Sequence, residues 1–192
     1  MKPTNIYFVR HAEADNTVRI GRERPLTENG LVKRVLVTNY LLDKDIEYIF
    51  SSPFKRAYDT ISDFAEKQGL SIAVDEGFGE IRNGEGMWRG HPEAGNVFKN
   101  QWNDFDYRFS DGESLNEVQN RNITALKKIL DEHEGKNIAI ATHSTSLSLI
   151  LNYYDSTFSY EAFQEIQSKL PWVAKLVFSK DECQEIEKID LY

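Results

Sequence analysis

The 192-residue sequence contains a single cysteine, Cys183. One thiol cannot form an intramolecular disulfide, and it cannot build a thiolate cage around a metal ion. The sequence also lacks an apolar run long enough to cross a lipid bilayer. Its first ten residues become charged too quickly for a secretory signal peptide. We therefore expect a protein of the reducing cytoplasm that does not enter a membrane.

Basic residues are in the minority, with 23 Lys and Arg against 31 Asp and Glu and a formal net charge of -8. Such a chain repels polyanions, so we expect neither nucleic acid nor an anionic membrane surface as a partner. Five prolines and eleven glycines are also few, and 40% of the residues are hydrophobic. This composition excludes collagen-like, disordered and low-complexity proteins and predicts one globular domain spanning residues 1–192.

Short apolar runs alternate with amphipathic segments along the chain. The runs read as strands, because a strand buried on both faces of a parallel sheet needs no polar alternation. The predicted strands cover residues 5–9, 46–50, 71–74, 137–142, 173–178 and 185–191. Strands that alternate with helices favour an α/β fold, here a three-layer α/β/α sandwich with a mostly parallel central sheet.

Three helices between these strands carry local start or stop signals. Thr27 is placed as the N-cap of an apolar stripe that extends to Leu41. Gly69 is placed to end a second stripe, and Ser114 and Glu117 form a capping box before a third. Residues 84–112 fit neither pattern, with only a weak helical signal after residue 97. We expect this segment to be an irregular and partly helical insertion that covers the active site.

Two of the predicted strands end in histidine, at His11 and His143. Ligands bind outside the carboxyl ends of parallel strands, so these two rings are expected to meet over one pocket. Arg56 follows a third strand and lies in the first turn of a helix, beside Arg10 in the predicted pocket. A guanidinium fork beside free backbone N–H groups suits a phosphate. Each feature alone is ordinary, since a first-turn arginine is usually solvated, but their joint placement at three strand ends predicts a phosphate site.

Seven short motifs, taken in order, resemble those of the histidine phosphatase superfamily, whose fold is the phosphoglycerate-mutase-like fold. They span most of the chain and are Arg10-His11-Ala12-Glu13, Leu26-Thr27-Glu28-Asn29-Gly30, Ser51-Ser52-Pro53 with Arg56-Ala57 and Thr60, Phe78-Gly79-Glu80, Trp88-Arg89-Gly90, Gly112-Glu113-Ser114 and Thr142-His143-Ser144.

The resemblance implies a role for each matching residue. His11 resembles the nucleophile that becomes a phosphohistidine. Arg10, Arg56 and His143 resemble the residues that hold the phosphoryl group, and Glu80 resembles the proton donor to the leaving group. Phosphoryl transfer depends mainly on positioning and positive charge, which two arginines can supply without a metal ion. A neutral imidazole is a competent nucleophile, and the neighbouring arginines favour that neutral form.

Two further positions are assigned to phosphate binding by the same resemblance. Asn16 lies one residue short of a phosphate-contacting asparagine in many members of the family. Ser144, with Thr145, replaces glycines that often follow the second histidine, and its hydroxyl can narrow the pocket or donate to phosphate. Ala12 replaces a common glycine after the first histidine, a change also seen in the family.

The identity of the proton donor has alternatives. The spacing from Glu80 to Trp88 is about two residues longer than is usual in the family, which makes Glu85 the rival and Glu76 a more distant candidate. Each of the three could instead be a solvated loop carboxylate.

A zinc site built from two histidines and a glutamate is the alternative chemistry. Two adjacent arginines would repel the cation, and His91 and His133 are placed in a loop and on a helix surface. We therefore expect no metal ion and no other cofactor.

The sequence favours a phosphatase that acts on a small phosphorylated metabolite. The last predicted strand ends close to Tyr192, which leaves no obvious tail to shield a phosphoenzyme from water. The alternatives are a phosphoglycerate-type mutase and a catalytically inactive protein that binds a phosphorylated ligand. Arg19, Arg22 and Arg24 could hold a second anionic group of the substrate or form a solvated basic loop. The sequence predicts no oligomeric state.

Overall fold

The computed structural model describes residues 2–18, 20–84 and 91–192. Its strands are β1 (Thr4–Arg10), β2 (Tyr48–Ser51), β3 (Ile72–Val74), β4 (Asn137–Thr142), β5 (Trp172–Ser179) and β6 (Glu182–Ile189). Its α-helices are α1 (Glu28–Leu41), α2 (Lys55–Gln68), α3 (Ala94–Asn103), α4 (Leu115–Glu132), α5 (Ser144–Tyr154) and α6 (Tyr160–Ser168). Two short 3-10 helices cover Gly21–Glu23 and Glu76–Phe78. Within these described ranges, no helix combines the length and the apolar character that a bilayer span requires.

The six strands form one sheet in the order β3-β2-β4-β1-β5-β6. The first four are parallel to one another, and β5 and β6 are antiparallel to their neighbours. In register, Arg10 of β1 lies beside Thr142 of β4, and Ser51 of β2 lies beside Ala141. The mostly parallel sheet is confirmed, and the carboxyl ends of its three central parallel strands meet at one edge.

Alternate residues of the central strands face opposite layers. Ile6 and Phe8 of β1 pack with side chains of α4, α5 and α6. Tyr7 and Val9 pack with side chains of α1 and α2 on the other side. Both sets are buried because helices cover both faces of the sheet, as the continuous apolar runs predict. The three-layer α/β/α architecture is therefore confirmed.

The three helix-boundary signals also act as predicted. The Thr27 hydroxyl accepts a hydrogen bond from the backbone N–H of Gly30, at 3.0 Å, and begins α1. Gly69 ends α2 in a left-handed conformation with φ 65°. Ser114 and Glu117 form a complete capping box at the start of α4.

Two predictions of strand and helix limits need correction. The last strand begins three residues before the predicted residue 185, because a two-residue turn at Lys180 and Asp181 closes the β5–β6 hairpin without a glycine to signal it. Helix α5 was not predicted, since residues 144–151 are all buried and show no polar face. A helix buried on every side has no amphipathic period to detect.

Candidate active site

The predicted site residues gather at the carboxyl edge of β1, β2 and β4, where a cleft of about 560 Å³ opens. Six of the seven site residues predicted from the sequence line this cleft: Arg10, His11, Asn16, Arg56, Glu80 and Ser144. His143, the seventh, is fully buried and is not part of the lining. Helices α2 and α5 both begin at this edge, so the positive ends of their dipoles point toward the cleft.

His11 is held in one neutral tautomer by its own loop. Its Nδ1 lies 2.6 Å from the backbone carbonyl oxygen of Ala12. Because a carbonyl can only accept, Nδ1 carries the hydrogen and donates it. The Nε–H of Arg56 donates to Nε2 of the same ring, at 3.1 Å. Nε2 is therefore the nitrogen with the lone pair, and it lies on the arginine side of the ring.

Arg56 lies in the first turn of α2, but it is not the solvated arginine that such a position usually holds. Its relative exposure is only 6%. One guanidinium nitrogen donates to the carbonyl oxygen of Gly21, at 2.7 Å, and the guanidinium carbon lies 4.9 Å from the centre of the Phe54 ring. Contacts with His11, Gly21 and Phe54 thus fix the Arg56 guanidinium beside His11.

His143 lies behind His11, at the N-cap of α5. Its ring is fully buried, and the two ring centres are 5.3 Å apart. Its Nε2 shares a hydrogen bond of 2.7 Å with the Ser52 hydroxyl, and its ring packs edge-on against Phe54. Burial, followed by the charge of Arg56, holds the pKa of His143 well below its ordinary value of 6.5. In the folded protein, His143 is therefore a neutral ring.

The buried neutral His143 predicts how folding stability depends on pH. Below pH 6.5 the unfolded chain protonates this histidine while the folded chain does not, so stability falls as the pH falls. When the pH is lowered from 7.5 to 5.5, the free energy of unfolding is expected to fall by about 1 kcal/mol more in the wild type than in His143→Gln. Urea denaturation at the two pH values measures both losses. Equal losses in the two proteins would contradict the assignment.

Arg10 ends β1 and is also buried. Its guanidinium donates to the carbonyl oxygens of Ile166 and Lys169, the latter at 2.7 Å, at the end of α6. These contacts anchor the side chain against a helix C-terminus, where a cation is favoured. Arg10 therefore adds a fixed positive charge to the cleft.

Glu80 is held in place through its backbone. The guanidinium of Arg121, on α4, donates to the carbonyl oxygens of Gly77, Gly79 and Glu80 at 2.9, 2.8 and 3.2 Å. The Ser146 hydroxyl donates to the Gly79 carbonyl from α5, at 2.6 Å. The segment that carries Glu80 is therefore fixed to two helices, while the Glu80 side chain remains partly exposed in the cleft.

Glu113 completes this attachment. Its carboxylate accepts from Arg121 Nε at 3.0 Å and from the backbone N–H of Arg82 at 2.9 Å. Burial raises the pKa of Glu113, but the hydrogen bonds and charge of Arg121, with those of Arg82, outweigh it and lower the pKa overall. The motif around Glu113 is visible in the sequence. Arg121 was not predicted, because an arginine on a helix carries no local signal of partners that lie 41 to 44 residues earlier in the chain.

The loop between β1 and α1 is closed by a second motif. The Glu13 carboxylate accepts hydrogen bonds from the Thr27 hydroxyl at 2.9 Å and from the Asn29 amide at 2.7 Å. Gly30 is required next to them, since a Cβ there would lie 2.1 Å from the Glu13 carbonyl oxygen. These contacts close the loop that carries Arg22 and Arg24, and both arginines form part of the cleft lining. The motif residues are therefore structural.

The structure does not place every sequence candidate at the site. Arg19, Glu85 and Trp88 fall outside the described residues. Glu76 is exposed and forms an ion pair with Arg22. In the described part of the chain, no three His, Cys, Asp or Glu side chains are grouped as metal ligands would be.

The segment 84–112, as far as it is described, contains α3. Gly95, Val97 and Phe98 of this helix line the cleft. Phe98 also packs against Phe163 of α6, with 5.6 Å between the ring centres. This placement supports the proposal that the segment covers the active site.

Comparisons with known proteins identify the family and the fold. A sequence model of the histidine phosphatase superfamily (branch 1) matches residues 6–189. Phosphoserine phosphatase 1 of Hydrogenobacter thermophilus is 28% identical over 158 residues, which cover 74% of this chain and 72% of that protein. Phosphoglycerate mutase-like protein 4 of Arabidopsis thaliana is 29% identical over 150 residues, which cover 72% of this chain and 65% of that protein.

A solved structure shows the same fold. It is a phosphoserine phosphatase variant from Entamoeba histolytica in complex with phosphoserine, with a TM-score of 0.76 and 18% sequence identity. The match covers 95% of this chain and 96% of that one. Its fold supports the phosphoglycerate-mutase-like architecture expected from the motifs.

Proposed function

Because this chain belongs to the histidine phosphatase superfamily, we propose that it hydrolyses small phosphomonoesters through a phosphohistidine on His11, with no metal ion or other cofactor. The observation that carries the proposal is the tautomer of His11. With Nδ1–H bonded to Ala12, the lone pair of Nε2 lies beside the buried Arg56 guanidinium. A neutral nucleophile next to a fixed cation suits attack on an anionic phosphoryl group.

The first half-reaction transfers the phosphoryl group to the enzyme. Nε2 of His11 gives up the hydrogen bond from Arg56 and forms a bond to phosphorus as the ester P–O bond breaks, while the Arg56 N–H turns to a phosphoryl oxygen. The electrons of the broken P–O bond leave with the alkoxide oxygen. Glu80, protonated at this point, gives that oxygen its proton. Arg56 and Arg10 stabilise the charge on the equatorial oxygens, with help from the N-terminus of α5. The products are an alcohol and phosphohistidine.

The second half-reaction regenerates the enzyme. Water attacks phosphorus, the P–N bond breaks, and its electrons return to Nε2. The Glu80 carboxylate accepts the proton from the water, which restores the acid for the next turnover. The residue that donates in the first step thus accepts in the second.

The direct test is a screen of phosphomonoesters that follows released inorganic phosphate with and without EDTA. Turnover is expected to be the same in both conditions, because arginines and helix N-termini supply the positive charge. Loss of turnover in EDTA that zinc or manganese restores would contradict the mechanism.

Glu80→Gln is expected to affect substrates according to their leaving group. An alkyl phosphate releases a strongly basic alkoxide, so its hydrolysis should slow by about 10²- to 10⁴-fold without the acid. A nitrophenyl phosphate releases a stable phenolate and should slow by about tenfold or less. The measurement is kcat/KM for both substrates.

Glu85→Gln is the control for this experiment and should act weakly on both substrates. A leaving-group dependence that follows Glu85 instead would move the acid to that residue. Equal slowing of both substrates by Glu80→Gln would assign Glu80 to phosphoenzyme hydrolysis or substrate binding.

A phosphoglycerate-type mutase is the second candidate, and the name of the Arabidopsis relative favours it. A mutase returns the phosphoryl group to the substrate, whereas a phosphatase passes it to water. Phosphate release that equals substrate consumption would support the phosphatase. An inactive ligand-binding protein would release none.

A further inference from the structure

The cleft has the opposite charge to the protein as a whole. The chain has a formal net charge of -8, yet the described lining of the cleft contains five arginines and a single carboxylate. Arg10 and Arg56, with two helix N-termini, serve the phosphoryl group. Arg22, Arg24 and Arg82 continue the positive surface beyond them. A monoester with an uncharged organic part would have no anionic group to pair with these three arginines.

Arg22 is connected directly to the phosphoryl end of the cleft. The residue before it, Gly21, accepts a hydrogen bond from the Arg56 guanidinium at 2.7 Å. The guanidinium carbon of Arg22 lies 5.5 Å from the centre of the Phe54 ring, and that of Arg56 lies 4.9 Å from the same centre. Both cations therefore contact the same aromatic ring, which limits how far apart the two guanidinium groups can lie.

Arg22 is paired with a carboxylate of the protein itself. Glu76 forms an ion pair with it, and the side chains of Arg22 and Glu76 are 53% and 68% exposed. Exposed ion pairs contribute little free energy, so another anion can replace this partner at small cost. Glu76 itself is not part of the cleft lining. Glu76 therefore pairs with Arg22 from outside the cleft.

We propose that Arg22 binds a second anionic group of the substrate, and that this group displaces Glu76. The substrate class is a compact phosphomonoester with a carboxylate or a second phosphate a few bonds from the ester. A planar guanidinium suits either group, because each presents two oxygens to its fork. The inference rests on the proposed phosphatase function and specifies its substrate.

A substrate series of graded length tests the proposal. The probes are ω-carboxyalkyl phosphates with two, three and four carbons, each paired with the ω-hydroxyalkyl phosphate of equal length. For at least one length, kcat/KM for the carboxylate is expected to exceed that for the alcohol by about tenfold, as for a charged hydrogen bond. The α,ω-bisphosphates of the same lengths show whether carboxylate or phosphate is preferred.

Two variants assign that preference to Arg22. Arg22→Gln should bring the carboxylate-to-alcohol ratio close to one. Arg108→Gln is the matched control, since Arg108 is also 53% exposed and ion-paired, with Glu117, and does not line the cleft. Its ratio should stay at the wild-type value. A ratio that survives Arg22→Gln would overturn the proposal.

Glu76→Gln is expected to strengthen binding of the charged substrates, whereas Arg22→Gln weakens it. Removing the competing carboxylate should lower KM for the charged substrates by up to about fivefold, which matches the small contribution of an exposed ion pair. An unchanged or higher KM would overturn the displacement of Glu76. If the wild type hydrolyses all the esters with a carboxylate-to-alcohol ratio of one at every length, the second anion site is overturned and the proposed function stands. No turnover of any ester would overturn the proposed function itself.

Discussion

His11→Ala is expected to abolish both turnover and covalent labelling. Loss of a nucleophile commonly lowers kcat by about 10⁴-fold or more, because no other group takes its place. Wild-type protein quenched during turnover of a ³²P-labelled ester should carry label that is labile to acid and stable to base, as a phosphoramidate is. The variant should carry none.

The control for His11→Ala is His133→Ala. His133 ends α4 and stacks on Tyr48, with 4.2 Å between ring centres, and it does not line the cleft. It should label as wild type does. Label that persists in His11→Ala would place the nucleophile elsewhere, and His143 would then be tested by a double variant. That outcome would also require the fully buried His143 ring to become accessible.

Arg56→Ala should lower kcat/KM by about 10²- to 10³-fold, the usual cost of removing a transition-state charge contact. Sequence alone suggests that stability would hardly change, because first-turn arginines are usually exposed. The structure predicts otherwise. The buried guanidinium bonds to His11 and Gly21, so its loss should also lower the melting temperature by several degrees.

Arg34→Ala separates the two effects of Arg56→Ala. Arg34 lies on α1, donates to the Asp59 carbonyl oxygen at 2.9 Å and does not line the cleft. It should lower stability and leave kcat/KM near wild type. Arg56→Lys keeps the charge but loses the fork, so it should recover only part of the activity. Near-normal turnover in Arg56→Ala would remove this residue from the reaction.

The parallel sheet and the edge at which the site lies follow from patterns that can be read in the sequence. Parallel strands buried on two faces read as continuous apolar runs, and the runs of β1 and β4 end next to His11 and His143. The helix boundaries at Thr27, Gly69 and Ser114 could also be predicted, because each depends on contacts between residues a few positions apart. The strand ends therefore assign His11, His143 and Arg56 to one edge of the sheet, while Glu80 is assigned only by the resemblance to the superfamily.

How these side chains are held depends on tertiary contacts. The hydrogen bond from Arg56 to His11, the burial of Arg56 and the pairing of His143 with Ser52 all need groups from different strands and helices to meet at the sheet edge. The attachment of Glu80 through Arg121 and the Arg22–Glu76 pair join residues 41 and 54 positions apart. Such contacts leave no periodic pattern in the chain, because the fold alone brings their partners together.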